Sequence, residues 1–395
     1  MKIGICSTIN PYELREFLPS DKEIPSINGG ASAINTYVKE LLRQGHHVIV
    51  FTSAVPSNET KNIILKGDML EIHIIHSTPG FFITHALSRL YMVRRLRNYM
   101  RPYISELDVL HAQWTYDFAL AAKSFECDIP VFCTVRDWCP YITSLQRGLK
   151  KIQWRIYGII FKRVMSSNRI HFIANSQYTY NQIKSMYPQK HIDVIYNPID
   201  KNYILEKKKK FLEDVYISIS STLTEGRKNI KKLLEAFQLV RKDKPEAQLK
   251  LVGRGLEEGS PTYIDYFNKG LLTGVTILGP LAHSKLIEAI DESSCLVHPS
   301  LEETFGNILI EGMARCVPVI GGANSGAVPQ VLENGMCGIL CDIENVNELA
   351  AAMLLASKME NTDSIVSNAT NVLKTKYSSE SIVKDHLHLY RMYAL

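Results

Sequence analysis

No stretch of this 395-residue chain approaches the roughly 18 consecutive apolar residues that a membrane-spanning helix requires. A protein built around spanning helices is therefore not expected. Eight cysteines are present, but no pair has C-x-x-C spacing and none stands at zinc-like distances from histidine, which removes a redox dithiol and a zinc module. Cys6 and Cys295 lie inside apolar runs, where cysteine behaves as a small hydrophobe. The N-terminal MKIGICSTIN has a lysine, but its apolar run is too short for a secretory leader and no small-residue cleavage site follows. The excess of positive charge is also small. A formal net charge of +5 and a pI near 8.6 fall short of a nucleic-acid-binding signature, though they suit an anionic small ligand or membrane surface. No G-x-G-x-x-G follows the first apolar run, and Walker A and H-E-x-x-H sequences are missing, so a dinucleotide oxidoreductase, a P-loop enzyme and a zincin are not supported.

The composition, 46% hydrophobic and 22% charged, is that of a globular protein long enough for two domains. Short β-branched runs alternate with longer helical patterns, the rhythm of parallel α/β units. Lys2 to Cys6 reads as a strand. After a polar loop, Gly29-Gly30 opens ASAINTYVKELLRQG, whose Ile34, Val38, Leu41 and Leu42 recur at helical spacing. HHVIVFTS, Val109 to His111, Pro130 to Val135, Ile170 to Ala174 and Val194 to Tyr196 read as further strands. The lysine-rich KNYILEKKKKFLED after Asn197-Pro198 reads as the interdomain linker. VYISISS, LKLVG, VTILG, SCLVHPS, VPVIGG and GILCD then restart the rhythm as compact apolar runs, suited to strands buried on both faces. The expected domains are 1–198 and 204–378, with the amphipathic helix at 379–395 packing back on the first.

The sharpest constellation is PSLEETFGNILIEGMA, Pro299 to Ala314. It leaves a buried strand and opens a helix, a junction where free N–H groups and the positive end of the helix dipole favour an anion. Gly306 allows a phosphate to approach the backbone. Glu303 before the helix and Glu311 within it offer carboxylates to sugar hydroxyls; read alone, each is a cap or a solvated glutamate. Gly226-Arg227-Lys228-Asn229 precedes another helix, where two cations can neutralise a diphosphate. They are misplaced for the helix dipole, which favours the ligand-binding reading.

Glu303 and Glu311, with seven residues between them, resemble the paired-glutamate signature of retaining GT-B glycosyltransferases, specifically glycosyltransferase family 4. Gly29-Gly30, Asp108-Val109-Leu110-His111-Ala112, Ala174-Asn175-Ser176, Ile195-Tyr196-Asn197-Pro198 and Leu251-Val252-Gly253-Arg254-Gly255 resemble further landmarks of that family, in its order. The resemblance implies an α/β fold of GT-B architecture: two Rossmann-like doubly wound domains facing across a cleft. It implies a UDP- or GDP-sugar donor, a glycan or lipid-linked acceptor, retention of configuration, and no cofactor or metal. The D-x-D metal motif of the other large glycosyltransferase fold is missing as well. Donor-binding positions are Gly29, Gly30, Arg227, Lys228, Phe305, Gly306, Asn307 and Glu311. The resemblance makes Lys228 the diphosphate lysine, and Arg227 stands in for an arginine that the family often carries where this chain has Ser221 and Thr222. Glu303 is expected to orient the donor sugar.

His111 and Asp137, at the ends of neighbouring strands, are the remaining catalytic candidates for orienting donor or acceptor; a packing histidine is the alternative for His111. Arg136 stands where the family often has histidine, and as a permanent cation it cannot act as a base. A GT-B nucleotide-sugar epimerase or phosphorylase, and a noncatalytic nucleotide-sugar-binding protein, stay open as rivals. Leu87 to Arg101 and Arg147 to Arg163 interleave arginine and lysine with apolar and aromatic residues, a pattern that suits an anionic membrane surface. The expected location is cytoplasmic, with the cytoplasmic membrane face as a peripheral surface.

Overall fold

The computed structural model describes residues 1–21, 23–25, 31–54, 61–76, 85–206, 213–357 and 363–394, and all that follows refers to these. The chain divides into two units, Met1–Pro198 with Ser379–Leu395, and Ile199–Ser378.

In the first unit, β1 (Lys2–Cys6), β2 (His47–Ser53), β3 (Ile63–Lys66), β4 (Leu70–Ile75), β5 (Val109–Gln113), β6 (Val131–Val135), β7 (Ile170–Ala174) and β8 (Ile192–Val194) form one sheet in the order β3-β4-β2-β1-β5-β6-β7-β8. Every pairing is parallel except β3 with β4. Alternating side chains serve the two faces. Val48 and Val50 of β2 join Ile3, Ile5 and Tyr390 on one face, while Ile49 and Phe51 join Cys6, Leu110 and Phe161 on the other. The helix Ser32–Arg43 turns Ile34, Val38 and Leu41 inward. Gly45, at φ +81°, ends it in a Schellman turn: the His46 N–H reaches the Leu41 carbonyl and the Gly45 N–H that of Leu42, both at 3.0 Å.

In the second unit, β9 (Val215–Thr222), β10 (Gln248–Arg254), β11 (Val275–Gly279), β12 (Cys295–His298), β13 (Val319–Gly322) and β14 (Ile339–Cys341) are all parallel, in the order β11-β10-β9-β12-β13-β14. Leu233, Leu234 and Phe237 of the helix Ile230–Asp243, and Leu349 and Met353 of the helix Val346–Ala356, bury Tyr216, Leu249 and Val297 of the sheet.

Both sheets are doubly wound, and both reverse beside their first strand: β1 lies between β2 and β5, β9 between β10 and β12. The carboxyl ends of such neighbouring strands are where open α/β sheets receive ligands. Three details differ from the sequence reading. The strand expected at Val194 to Tyr196 lies earlier, at Ile192–Val194. The β3–β4 hairpin was not foreseen. The start of the expected linker packs on the second unit, because Arg315 donates to the Tyr203 carbonyl at 2.9 Å and the Leu205 N–H donates to the Ala314 carbonyl at 2.8 Å.

The C-terminal helix Ser379–Tyr393 packs on the helix Ser32–Arg43. The Tyr37 and Tyr390 hydroxyls lie 2.6 Å apart, Ser379 donates to buried Glu40 at 3.0 Å, and the His386 ring sits 4.7 Å from that of Tyr37. Burial lowers the His386 pKa from 6.5 to about 4. The unfolded chain therefore binds more protons between those values. The stability contributed by neutral His386 is present above about pH 6.5 and is lost as pH falls toward 4, by up to about 3 kcal/mol. His386→Leu is expected to flatten the melting temperature between about pH 7 and 4.5; a curve parallel to wild type would show that this ring does not set acid stability.

Candidate functional site

The reversal of the second sheet brings two loops together. The one leaving β9 carries Arg227 and Lys228, and the one leaving β12 runs from Pro299 to Gly306. Backbone pairing locks them, since the Leu301 N–H donates to the Arg227 carbonyl at 2.8 Å. The Lys228 ammonium then lies 2.6 Å from Glu303 Oε1, and the His298 ring nitrogen lies 3.2 Å from the same oxygen. Arg227 donates to the Glu302 carbonyl at 2.8 Å and stands 3.8 Å from Glu303 and 3.3 Å from Glu225. Burial pushes the Glu303 carboxyl up, but the Lys228 ammonium, the His298 ring and the Arg227 guanidinium together hold it well below the usual carboxylate range. The same carboxylates outweigh the burial that lowers Arg227, so its pKa is raised. Glu303 is also held from behind, where its carbonyl accepts the Ala327 N–H at 2.8 Å.

Gly306 begins the helix Asn307–Ala314 at φ +85°, and no side chain caps it. The Leu309 N–H donates to the Gly306 carbonyl at 2.9 Å, and the positive end of the helix dipole lies at this turn. Glu311, buried at 6% exposure, lies further along this helix, with His283 Nε2 3.9 Å from its carboxylate and the Tyr203 ring edge-on to His283 at 5.1 Å.

The structure thus gathers Arg227, Lys228, Glu303, Gly306 and Asn307 at one edge of the second sheet, with Glu311 inward along the helix. Phe305 takes a different place from the one expected: its side chain is 1% exposed and edge-packed on Tyr377 at 5.6 Å, so only its backbone belongs to the turn. His111, read as a candidate to orient ligand, is a core residue. It is fully buried among Tyr37, Phe132 and Tyr390, with one ring nitrogen on the Tyr390 hydroxyl and the other 2.8 Å from Thr134 Oγ1. Burial drives its pKa well below the ordinary value, and it turns to the sheet face covered by the C-terminal helix. Asp137 stays at the edge of the first unit and accepts a hydrogen bond from Tyr116 at 2.8 Å. Arg136 donates to Gln113 at 2.6 Å and to Asn197, bracing the segment that ends this unit. Gly29 and Gly30 lie outside the described residues. His298 and His283 were not anticipated. A histidine ending a buried run reads as packing, and only the fold sets these rings against the two glutamates.

The family model for glycosyl transferases group 1 matches residues 202–372, and that for glycosyltransferase family 4 matches residues 27–203. The N-acetyl-α-D-glucosaminyl L-malate synthase of Bacillus anthracis is 25% identical over 381 residues, covering 93% of this chain and 94% of that protein. Among solved structures, sucrose-phosphate synthase from Thermosynechococcus elongatus superposes with a TM-score of 0.76 at 17% identity, covering 99% of this chain and 98% of that one. The Anabaena protein HepE, in complex with UDP and glucose, superposes with a TM-score of 0.66 at 18% identity, covering 99% and 100%.

A Cβ on Gly306 would stand 2.9 Å from Leu309 Cδ1, in a backbone conformation that L side chains rarely adopt. Gly306→Ala is expected to cost about 1–2 kcal/mol. Gly226→Ala, where a Cβ meets nothing within 4 Å, is the control and is expected to melt near wild type. Equal melting temperatures for the two variants would mean that the turn relaxes without cost.

Proposed function

We propose that this chain, which belongs to the group 1 glycosyl transferases of glycosyltransferase family 4, moves a sugar from a UDP- or GDP-sugar to a glycan or lipid-linked acceptor with retention of anomeric configuration. The observation that carries the reading is the pairing of Lys228 with Glu303 beside the uncapped start of the helix Asn307–Ala314. The complex of the similar Anabaena protein with UDP and glucose supports a nucleotide-sugar donor.

As the bond between the anomeric carbon and the diphosphate lengthens, negative charge collects on the leaving oxygens. Lys228, Arg227 and the positive end of the helix dipole offer fixed positive charge there, worth most where water is displaced. Glu303 serves as the internal counter-ion of Lys228 and is placed to accept hydrogen bonds from the donor sugar. Glu311 is placed to hold ribose hydroxyls, with His283 and Tyr203 beside it. The countercharge comes from side chains and backbone, so the reading needs no metal.

The acceptor side of this reading includes a membrane surface. No helix among the described residues is long and apolar enough to cross a membrane. The helix Gly148–Met165 nevertheless turns Leu149, Ile152 and Ile159 outward, exposed at 83%, 56% and 67%, along a face that also carries exposed Lys151, Arg155 and Lys162. Its Trp154 and Tyr157 point the other way and pack on the core of the first unit, so aliphatic rather than aromatic residues would meet the lipid. Such a face suits the interface of an anionic bilayer.

Two experiments test the proposal. In steady-state kinetics, Lys228→Ala is expected to lower kcat and kcat/KM together by roughly 10²-fold. Glu311→Gln should mainly raise the donor KM, by a charge-assisted hydrogen bond of about 1.5–3 kcal/mol. Both effects should be unchanged by excess EDTA. Wild-type kinetics in both variants would remove the donor site, activity restored only by Mg²⁺ would remove the metal-free reading, and isomerised donor without transfer would favour an epimerase. In co-sedimentation with phosphatidylserine vesicles, Ile152→Glu/Ile159→Glu is expected to release the protein, and wild-type binding should weaken with salt; equal binding by both proteins would exclude this helix face.

A further inference from the structure

The helix His283–Asp291 connects β11 to β12 and lies loosely on the second unit: of its nine residues only Ala289 and Ile290, in the last turn, are buried. Its first residue, His283, is the one that stands 3.9 Å from the Glu311 carboxylate. Core packing therefore anchors this helix at the end away from Glu311. At a rise of 1.5 Å per residue its two ends are about 12 Å apart, so a small tilt about the anchored end moves His283 most.

The anchored end carries a second restraint. Arg315, just past the helix Asn307–Ala314, donates from Nε to Asp291 Oδ1 at 2.7 Å and from one terminal nitrogen to Oδ2 at 2.6 Å. Its other terminal nitrogen donates to the Tyr203 carbonyl at 2.9 Å. The Tyr203 ring in turn lies edge-on to His283. Backbone ties the same segment to the other helix: the Leu205 N–H donates to the Ala314 carbonyl, and the Cys316 thiol donates to the Leu205 carbonyl at 3.2 Å. The contacts close into a ring. From Glu311 they run to His283, through Tyr203 to Arg315, and back along one helical turn, where the Arg315 N–H meets the Glu311 carbonyl at 3.3 Å. A cation at the end of a helix is favourable through the dipole alone, and a solvated lysine would serve for that. Here the side chain is only 5% exposed, and its planar fork meets three acceptors in directions that an ammonium cannot match.

We propose that Arg315 is a positioning residue of the donor site: by holding Asp291 and the Tyr203 carbonyl it fixes Tyr203 and His283 around Glu311, and so sets the aim of that carboxylate at the ribose hydroxyls of the donor. The proposal rests on the donor reading above and adds a discrimination to it. The nucleotide is selected for its ribose diol by a carboxylate whose direction is set one helical turn away.

The test is isothermal titration calorimetry of the full-length protein with UDP and GDP, each beside its 2′,3′-dideoxy analogue. The readout is the preference for ribose, the ratio of the two dissociation constants. A variant that only lowers the folded fraction changes both constants alike, so the ratio does not report stability. For the nucleotide that binds, wild type is expected to prefer ribose about tenfold or more, and Glu311→Gln to remove most of that preference. Arg315→Lys keeps the charge but loses the fork, and is expected to bring the preference to about threefold by weakening the ribose form alone. Tyr203→Leu keeps the carbonyl bond, removes the ring, and is expected to do the same. In a double-mutant cycle, Arg315→Lys added to His283→Ala should lower the ratio no further, the mark of residues acting in one chain. An unchanged ratio in Arg315→Lys or in Tyr203→Leu, or additive losses in the cycle, overturns the proposal alone, provided that Glu311→Gln still loses its preference. Should Arg315→Lys not fold, Tyr203→Leu decides by the same ratio. If Glu311→Gln keeps the wild-type ratio, or neither nucleotide binds, the donor reading itself falls.

Discussion

Two adjacent cations, Arg227 and Lys228, stand partly buried at the crossing of two loops in a protein that must be stable with no bound anion, and Glu303 is how this chain meets that constraint. Alone, Lys228 and Arg227 would repel each other across a partly buried loop crossing. With one carboxylate oxygen 2.6 Å from the lysine and 3.8 Å from the guanidinium, the cations become counter-ions of a common anion. Desolvating a charged cluster is costly, and the Coulombic return depends on geometry. Here the geometry is held by backbone: the Leu301–Arg227 and Ala327–Glu303 hydrogen bonds fix the loop on either side of Glu302 without any side chain. On the proposed reading, a diphosphate reaching Lys228 would take over the role Glu303 plays and leave the carboxylate to donor sugar hydroxyls.

The same topological step recurs in both units. In each unit the chain leaves its first strand toward one edge of the sheet and later returns to its other side, leaving a notch at the carboxyl ends of two adjacent strands. What fills the notch differs. The second unit places cations and a helix start there. The first places rings and carboxylates, with its histidine drawn into the face that the C-terminal helix covers. His111 and Asp137 sit only two strand ends apart, yet one is inside and the other at the rim. Position along the strand decides this, because His111 lies within β5 and Asp137 lies beyond the end of β6.

Much of the fold and part of the candidate site could be read from the sequence, for physical reasons that differ. Parallel strands buried on both faces are short unbroken apolar runs, so Ile3 to Cys6, Val131 to Val135 and Cys295 to His298 announce themselves. The paired glutamates and Gly306 are readable because one strand–turn–helix holds them within a few residues. The β3–β4 hairpin was overlooked because β3 alternates an exposed Ile64 with a buried Leu65, a weak pattern beside the solid runs. His298 and His283 act only through a partner on another segment. The extreme case is a cavity of the first unit: Arg89, Trp114, Asp137 and Trp154 line it from four separate segments, and no window of sequence contains enough of them to show that they meet.

One helix shows how far a correct pattern can mislead about direction. Gly148–Met165 interleaves bases with Trp154, Tyr157 and Phe161, which reads as an interfacial helix with aromatic anchors. The fold turns those rings inward, two onto the cavity wall and one into the core, and leaves Leu149, Ile152 and Ile159 outside between lysines and arginines. The outward face of this helix is therefore aliphatic and cationic, and its aromatic side belongs to the interior of the first unit, because the rings carry the larger apolar area and the core takes them first.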